Sequence, residues 1–153
     1  MTRAQLASMI ARALNLGASE KATPFTDTVG KWYEKDVQAL YEAGMISGTD
    51  ANAFAGDKVL TRQQAALMLN QVIEKHGKLG TLQTAVKGDN SFAKLPTFAD
   101  RHKIADNAII AVARLENAGI VTGDDGHFNP QNELTRAQIA KMLAGVLELT
   151  GNM

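Results

Sequence analysis

The chain has no cysteine, only three prolines, and few aromatic side chains: 5% of its 153 residues, with a single tryptophan. Without cysteine, disulfides, thiolate metal centres and cysteine nucleophiles are excluded, while the compartment stays open. No apolar run approaches the ~18 residues that a membrane-spanning helix requires. An excess of charge is lacking too. The 16 basic and 16 acidic residues give a net charge of zero, with 9 basic and 8 acidic residues up to and including Lys78 and 7 and 8 after it. No basic domain is hidden by averaging, so neither nucleic acid nor an anionic membrane is expected as a partner. The opening residues Met1-Thr2-Arg3-Ala4-Gln5 are polar and lack the apolar stretch of a signal peptide. What is present, a hydrophobic fraction of 45%, suffices for one core or several small repeated units.

A repeat emerges on laying the chain against itself. Thr2-Arg3-Ala4-Gln5, Thr61-Arg62-Gln63-Gln64 and Thr135-Arg136-Ala137-Gln138 each open a stretch with helical apolar spacing, for example Leu6, Ile10 and Leu14 in the first. Upstream of the second and third copies runs a matching preamble. Phe25, Asp27, Trp32, Leu40, Gly44, Gly48 and Phe54 lead to Thr61, while Phe98, Asp100, Asn107, Leu115, Gly119, Gly123 and Phe128 lead to Thr135. The offset is 73 residues at the first phenylalanine, 75 from Leu40 to Gly48 and 74 from Phe54 onward, the small loop shifts of a divergent repeat. The first copy has no preamble, so the chain enters its repeat in the middle.

Each complete unit reads as helix, loop, helix. Residues 31 to 43 and 104 to 118 are amphipathic and end at Gly44 and Gly119, the glycine expected just past a helix. Signature helices are expected near 2 to 16, 61 to 76 and 135 to 149. Polar Gly-, Asp- and Asn-bearing stretches connect the two helices of each unit. The segment between units is long, and residues 79 to 86 are expected to add a short helix there. The resulting division is 1–20, the second half of a first unit; 21–78, a second unit; 79–97, a linker; and 98–153, a third unit.

Thr-x-x-Gln at a helix start is a capping box, which accounts for the threonine and the glutamine. The arginine is harder to explain, because a cation at the positive end of the helix dipole is disfavoured by ~0.3 to 1 kcal/mol. Its recurrence at Arg3, Arg62 and Arg136 asks for a compensating bond, and two are open. One is a strut to a neighbouring unit, with Asp27 or Asp100 as partner; the other is an anion site built from guanidinium and helix N-terminus. Asp27 and Asp100 themselves read as turn or cap residues. The loop Asp124-Asp125-Gly126 lacks the ligand spacing of a calcium loop. His76, His102 and His127 show no metal spacing, and neither a nucleophilic triad nor a phosphate loop stands out, so no catalytic residue, metal or cofactor is expected.

The ordered pattern of F-x-D, Trp, glycine pair, Phe and Thr-Arg-x-Gln resembles the S-layer homology family, twice over and across most of the chain. The resemblance implies an all-α fold of tandem helix-loop-helix repeats forming a pseudo-threefold bundle. It also implies a non-catalytic module that anchors a secreted protein to the bacterial cell wall or S-layer by binding secondary cell-wall polysaccharide, often pyruvylated on N-acetylmannosamine. By that resemblance Arg3, Arg62 and Arg136, with Gln5, Gln64 and Gln138, would meet the sugar. The turns Ser47-Gly48 and Thr122-Gly123 would offer it hydroxyls and amides, the alternative being a plain C-terminal turn. Trp32 would stack on a sugar or, as the one tryptophan among the units, close the core. The pattern departs from the family where glutamine replaces the signature glutamate, where Asn107 replaces the tryptophan, and where the loop proline survives only as Pro130. Two other readings are a protein–protein assembly module without sugar contact and the anchor piece of an exported polysaccharide hydrolase. The half unit at the start points to a fragment of an exported protein and to self-association through the incomplete unit, with the face of Leu6, Ile10 and Leu14 left short of a packing partner.

Overall fold

The computed structural model describes residues 1–17, 19, 21–75 and 96–150, so the expected short helix at 79 to 86 lies outside the described residues. The described part is all-α: α1 Arg3–Ala13, α2 Glu34–Glu42, α3 Arg62–Lys75, α4 Ile109–Asn117 and α5 Arg136–Thr150, with 3-10 turns at Arg101–Lys103 and Asp106–Ala108. Only isolated bridges, such as Thr2 with Val59 and Thr61 with Glu133, represent extended pairing among the described residues.

All three signature helices begin with the capping box. Thr2 N–H donates to Gln5 Oε1 at 2.9 Å and Gln5 N–H to Thr2 Oγ1 at 3.1 Å. The same reciprocal bonds join Thr61 with Gln64 and Thr135 with Gln138. Gly44 and Gly119 close α2 and α4 at φ of +72° and +74°, a region that an L side chain enters only with strain. The preamble helices start later than their periodicity predicts. In the second unit Gly30 sits at φ +75° and donates to the Glu34 carboxylate at 2.7 Å, which sets the helix start at Glu34. In the third, Ala105 is extended and its N–H donates to Gln63 Oε1 on α3 at 2.9 Å, so a long-range bond interrupts the helix.

Helix α1 packs on α2 and touches α5, while α3 packs on α4 and α5. Leu6 and Ile10 of α1 are buried in the common core with Val37, Leu40, Leu69 and Ile139. The expectation that the first helix leaves its apolar face uncovered is therefore corrected for these two residues, because α2 lies against it; Leu14 is half-buried. Burying such a side chain is worth ~1.5–3 kcal/mol. Each loop phenylalanine, Phe54 and Phe128, is fully buried against its preamble partner, with ring centroids 5.7 Å apart for Phe25–Phe54 and 5.5 Å for Phe98–Phe128.

Candidate functional site

The loop before each signature helix is held by an aspartate. Asp27 accepts the N–H groups of Phe54 and Ala55 at 2.9 and 2.8 Å, and Asp100 those of Phe128 and Asn129 at 2.8 Å each. Burial alone would raise both carboxyl pKa values. The N–H bonds they accept, with Arg3 near Asp27 and His127 near Asp100, outweigh it and hold both below the ordinary value. This matches the turn-and-cap role expected of them.

The arginines reach across units. Arg3 Nε donates to the Phe54 carbonyl at 2.9 Å and its Nη2 to the Ser47 carbonyl at 3.0 Å, with the guanidinium 4.9 Å from the Phe54 ring centroid. Arg62 repeats the arrangement one unit on, donating to the Phe128 carbonyl at 2.6 Å over a ring 5.1 Å away. Burial lowers both arginine pKa values, opposed by Asp27 for Arg3 and by Asp124 and Asp100 for Arg62. An inter-unit strut thus exists, but it runs to a loop carbonyl, while the nearby aspartate holds the N–H of the same phenylalanine. Backbone bonds reinforce it: Arg3 N–H goes to Lys58 O and Ala4 N–H to Gly56 O, Arg62 N–H to Asn132 O and Gln63 N–H to Pro130 O. The N-termini of α1 and α3 are consequently occupied by protein. Arg136 differs, being exposed, with no side-chain hydrogen bond or ion pair among the described residues.

The signature residues gather in three clefts. In the first, of about 410 Å³, Arg3 faces Ser47, Gly48 and Gln64, with Asn107 at the rim. In the second, about 190 Å³, Arg62 faces Thr122, Gly123 and Gln138. The third, also about 190 Å³, joins Arg136, Gln5 and Trp32. An arginine of one unit thus meets the turn or the glutamine of another in every cleft. Each cleft also holds a second cation, Lys75, Lys141 or Arg12 respectively, so positive charge is concentrated locally in a neutral chain.

Trp32 does not close the core. It is 63% exposed, whereas its neighbour Tyr33 is 2% exposed and fills the space beside Phe54. The turn glycines have a packing reason beside any binding one. A Cβ on Gly48 would lie 2.4 Å from the Ala53 carbonyl oxygen, and one on Gly123, at φ +74°, 2.5 Å from Phe98 Cε1. The stretch Asp124-Asp125-Gly126 forms a tight turn with Asp125 and Gly126 at positive φ, closed by reciprocal bonds between Asp124 and His127. Sequence reasoning did not single out Gln71, Asn70, Arg12 or Lys141 as cleft residues. For Lys141, Gln71 and Arg12 the signal was a spacing of three or seven residues from the signature glutamine, which places them on its helix face; Asn70, six residues on, carried no such signal.

These features define an all-α module whose repeated units are stitched together by arginine and present clefts along their seams. The family model of the S-layer homology domain matches residues 24–66 and 97–140, and the chain belongs to that family. It is 34% identical, over 100% of its length, to an amylopullulanase of Thermoanaerobacterium thermosulfurigenes, of which it covers 8%. It is 33% identical, over 96% of its length, to an endoglucanase of Bacillus sp. strain KSM-635, covering 15% of that protein. With the S-layer protein sap of Bacillus anthracis it shares 30% identity over 94% of its length, covering 16% of that protein. The chain thus spans less than a fifth of each of these relatives. What enzymes and an S-layer protein share here is a non-catalytic surface-anchoring module, and the chain is of the secreted, cell-wall- or S-layer-associated kind.

Proposed function

We propose that the chain anchors its parent protein by binding secondary cell-wall polysaccharide in the clefts between its pseudo-threefold units. The observation that carries this reading is the repeated meeting, across a unit boundary, of an arginine with a signature glutamine, joined in two clefts by the Ser47-Gly48 or Thr122-Gly123 turn. A guanidinium suits a sugar-borne carboxylate, such as a pyruvate ketal on N-acetylmannosamine, and the turn hydroxyls and glutamine amides suit sugar hydroxyls and acetamido groups. The acid is assigned to Arg62 or Arg136, and first to Arg136, because the Arg62 guanidinium already holds the Phe128 carbonyl and offers a ligand only its remaining nitrogens. In each capping box the glutamine oxygen is engaged, which leaves the amide nitrogen as the group turned to a ligand. Trp32, exposed beside Arg136, supplies a stacking face. Modest affinity at each cleft becomes firm attachment on a polymer through multivalency.

Co-sedimentation of the chain with purified wall polysaccharide, pyruvylated and de-pyruvylated, tests this. Retention by the pyruvylated polymer, lost in Arg136→Ala, supports it; equal failure with both polymers removes it. Self-association through the first unit has less support, because the Phe54 and Phe128 loops of a second copy are already engaged by that copy's own Arg3 and Arg62. The relatives named as polymer-degrading enzymes favour a second reading of the parent protein, as an enzyme that uses the same clefts for attachment; sequencing the parent protein in full checks it.

A further inference from the structure

The three clefts are alike in plan but not in chemistry. The Arg3 cleft, at about 410 Å³, falls within the ~300–1,000 Å³ range of small-molecule sites, whereas the other two, at about 190 Å³, fall below it. Its lining carries four carboxamides, Gln64, Asn70, Gln71 and Asn107. Along α5 the first three correspond to Gln138, Ala144 and Gly145, so two of those three amides have no equivalent in the Arg62 cleft. The size difference has a cause in the same positions. Gly145 lets α5 close onto Ile120, where an added Cβ would already lie 3.0 Å from Ile120 Cγ1. Gln71 instead fills that position with an amide that bonds the Ser47 hydroxyl at 3.1 Å and the Gly44 carbonyl at 3.3 Å.

The electrostatics also differ. Glu74, on the cleft wall, is neutralised by the Arg114 guanidinium at 2.6 Å, and the same nitrogen donates to Asn70 Oδ1 at 3.2 Å. The Arg136 cleft, by contrast, is lined by Arg12 and Arg136 beside Trp32, with no acid among its described lining residues and Asp36 behind Ser8, whose hydroxyl it holds. Arg3 and Lys75 also line the Arg3 cleft, but the Arg3 guanidinium is spent on the Phe54 and Ser47 carbonyls, whereas the Arg136 side chain has no partner among the described residues, so an acidic sugar fits the Arg136 cleft better. A carboxamide, which both donates and accepts, matches an acetamido group, which does the same.

We propose that the Arg3 cleft is an extended subsite for a neutral, N-acetylated stretch of the glycan, read by Asn107 and by the Gln71–Ser47 pair, while the acidic terminal residue occupies a smaller cleft. This rests on the glycan-binding reading above. The test titrates the 15N-labelled chain with a neutral, de-pyruvylated wall oligosaccharide of two or more residues and, separately, with the pyruvylated terminal monosaccharide. The neutral oligosaccharide is expected to shift the side-chain amide signals of Gln71 and Asn107. Asn107→Ala is expected to change the ratio of the two affinities about fivefold against the oligosaccharide, the loss of one neutral hydrogen bond. Gln71→Ala should do the same, and exposed Asn107 carries the test if Gln71→Ala loosens the Ser47 turn. Binding of the monosaccharide alone, or oligosaccharide binding with an unchanged ratio in Asn107→Ala, overturns the subsite and leaves the glycan reading standing. Binding of neither ligand overturns both.

Discussion

Arg3 and Asp27 grip a single residue from opposite sides: the Asp27 carboxylate accepts the Phe54 N–H at 2.9 Å while Arg3 Nε donates to the Phe54 carbonyl at 2.9 Å. Asp100 and Arg62 do the same to Phe128. In each pair the aspartate belongs to the loop's own unit and the arginine to the unit before it. The pair therefore fixes the loop internally and, in the same stroke, docks two units. The unfavourable placement of arginine at a helix start is offset by a charge-assisted bond worth ~1.5–3 kcal/mol.

Removing the aspartate should loosen both levels at once. Asp100→Ala leaves the buried Phe128 N–H and the half-buried Asn129 N–H without their carboxylate, and a loss of about 2–4 kcal/mol in unfolding free energy is expected. Urea denaturation of the variant beside the parent chain measures it.

Acid should act through the same groups. Because the folded-state pKa values of Asp27 and Asp100 lie below their unfolded values, the unfolded chain binds more protons in the window between them. Their contribution is present in full above the unfolded value of ~3.9 and is lost as pH falls through the lowered folded values. Denaturation midpoints taken from pH 7 downward should drop steeply below pH ~4, and Asp100→Asn should flatten that drop.

The arginines should separate by role. Arg62→Ala removes the bond to the Phe128 carbonyl and a cation–π contact and should lower stability by about 2–3 kcal/mol. Arg136→Ala, at an exposed residue, should stay within about 0.5 kcal/mol of the parent. If glycan retention falls in Arg136→Ala with melting intact, the guanidinium acts on the ligand; if melting falls as far as in Arg62→Ala, it is a strut.

The sole tryptophan gives a direct reporter. Trp32 is exposed and lies beside Arg136 and Gln5, so its emission in the free chain should be that of a water-exposed indole. A pyruvylated sugar entering the cleft should shift or quench that emission. Titration with the same sugar in Arg136→Ala should show the change weakened.

A glycine of the turn tests packing apart from binding. Gly123→Ala places a Cβ 2.5 Å from Phe98 Cε1 at a φ of +74°, and a loss of about 1–3 kcal/mol is expected from strain and overpacking together. A thermal melt checks it.

Much of this architecture was legible in the amino-acid order because it is made by neighbours. The capping boxes link residues three apart, the helix-ending glycines at 44 and 119 follow from local sterics, and the repeat itself aligns Phe25 with Phe98 and Thr61 with Thr135. The same locality shows where such reading falls short. The delayed starts of α2 and α4 depend on Gly30 bonding Glu34 and on Gln63 capturing Ala105 from 42 residues away.

What the order of residues determined by itself, then, is the set of helices, their caps and their periodic recurrence, all of which rest on bonds closed within one or two turns of chain. Tertiary structure decided the rest. Arg3 and Arg62 find carbonyls 51 and 66 residues away, and a long side chain carries no local mark of whether its partner is a carboxylate, a carbonyl or a ligand. Tyr33 rather than Trp32 enters the core because it packs against Phe54 and Gly56, more than twenty residues along the chain. The clefts exist only where two units pack together, and so does the chemistry that separates the Arg3 cleft from the other two.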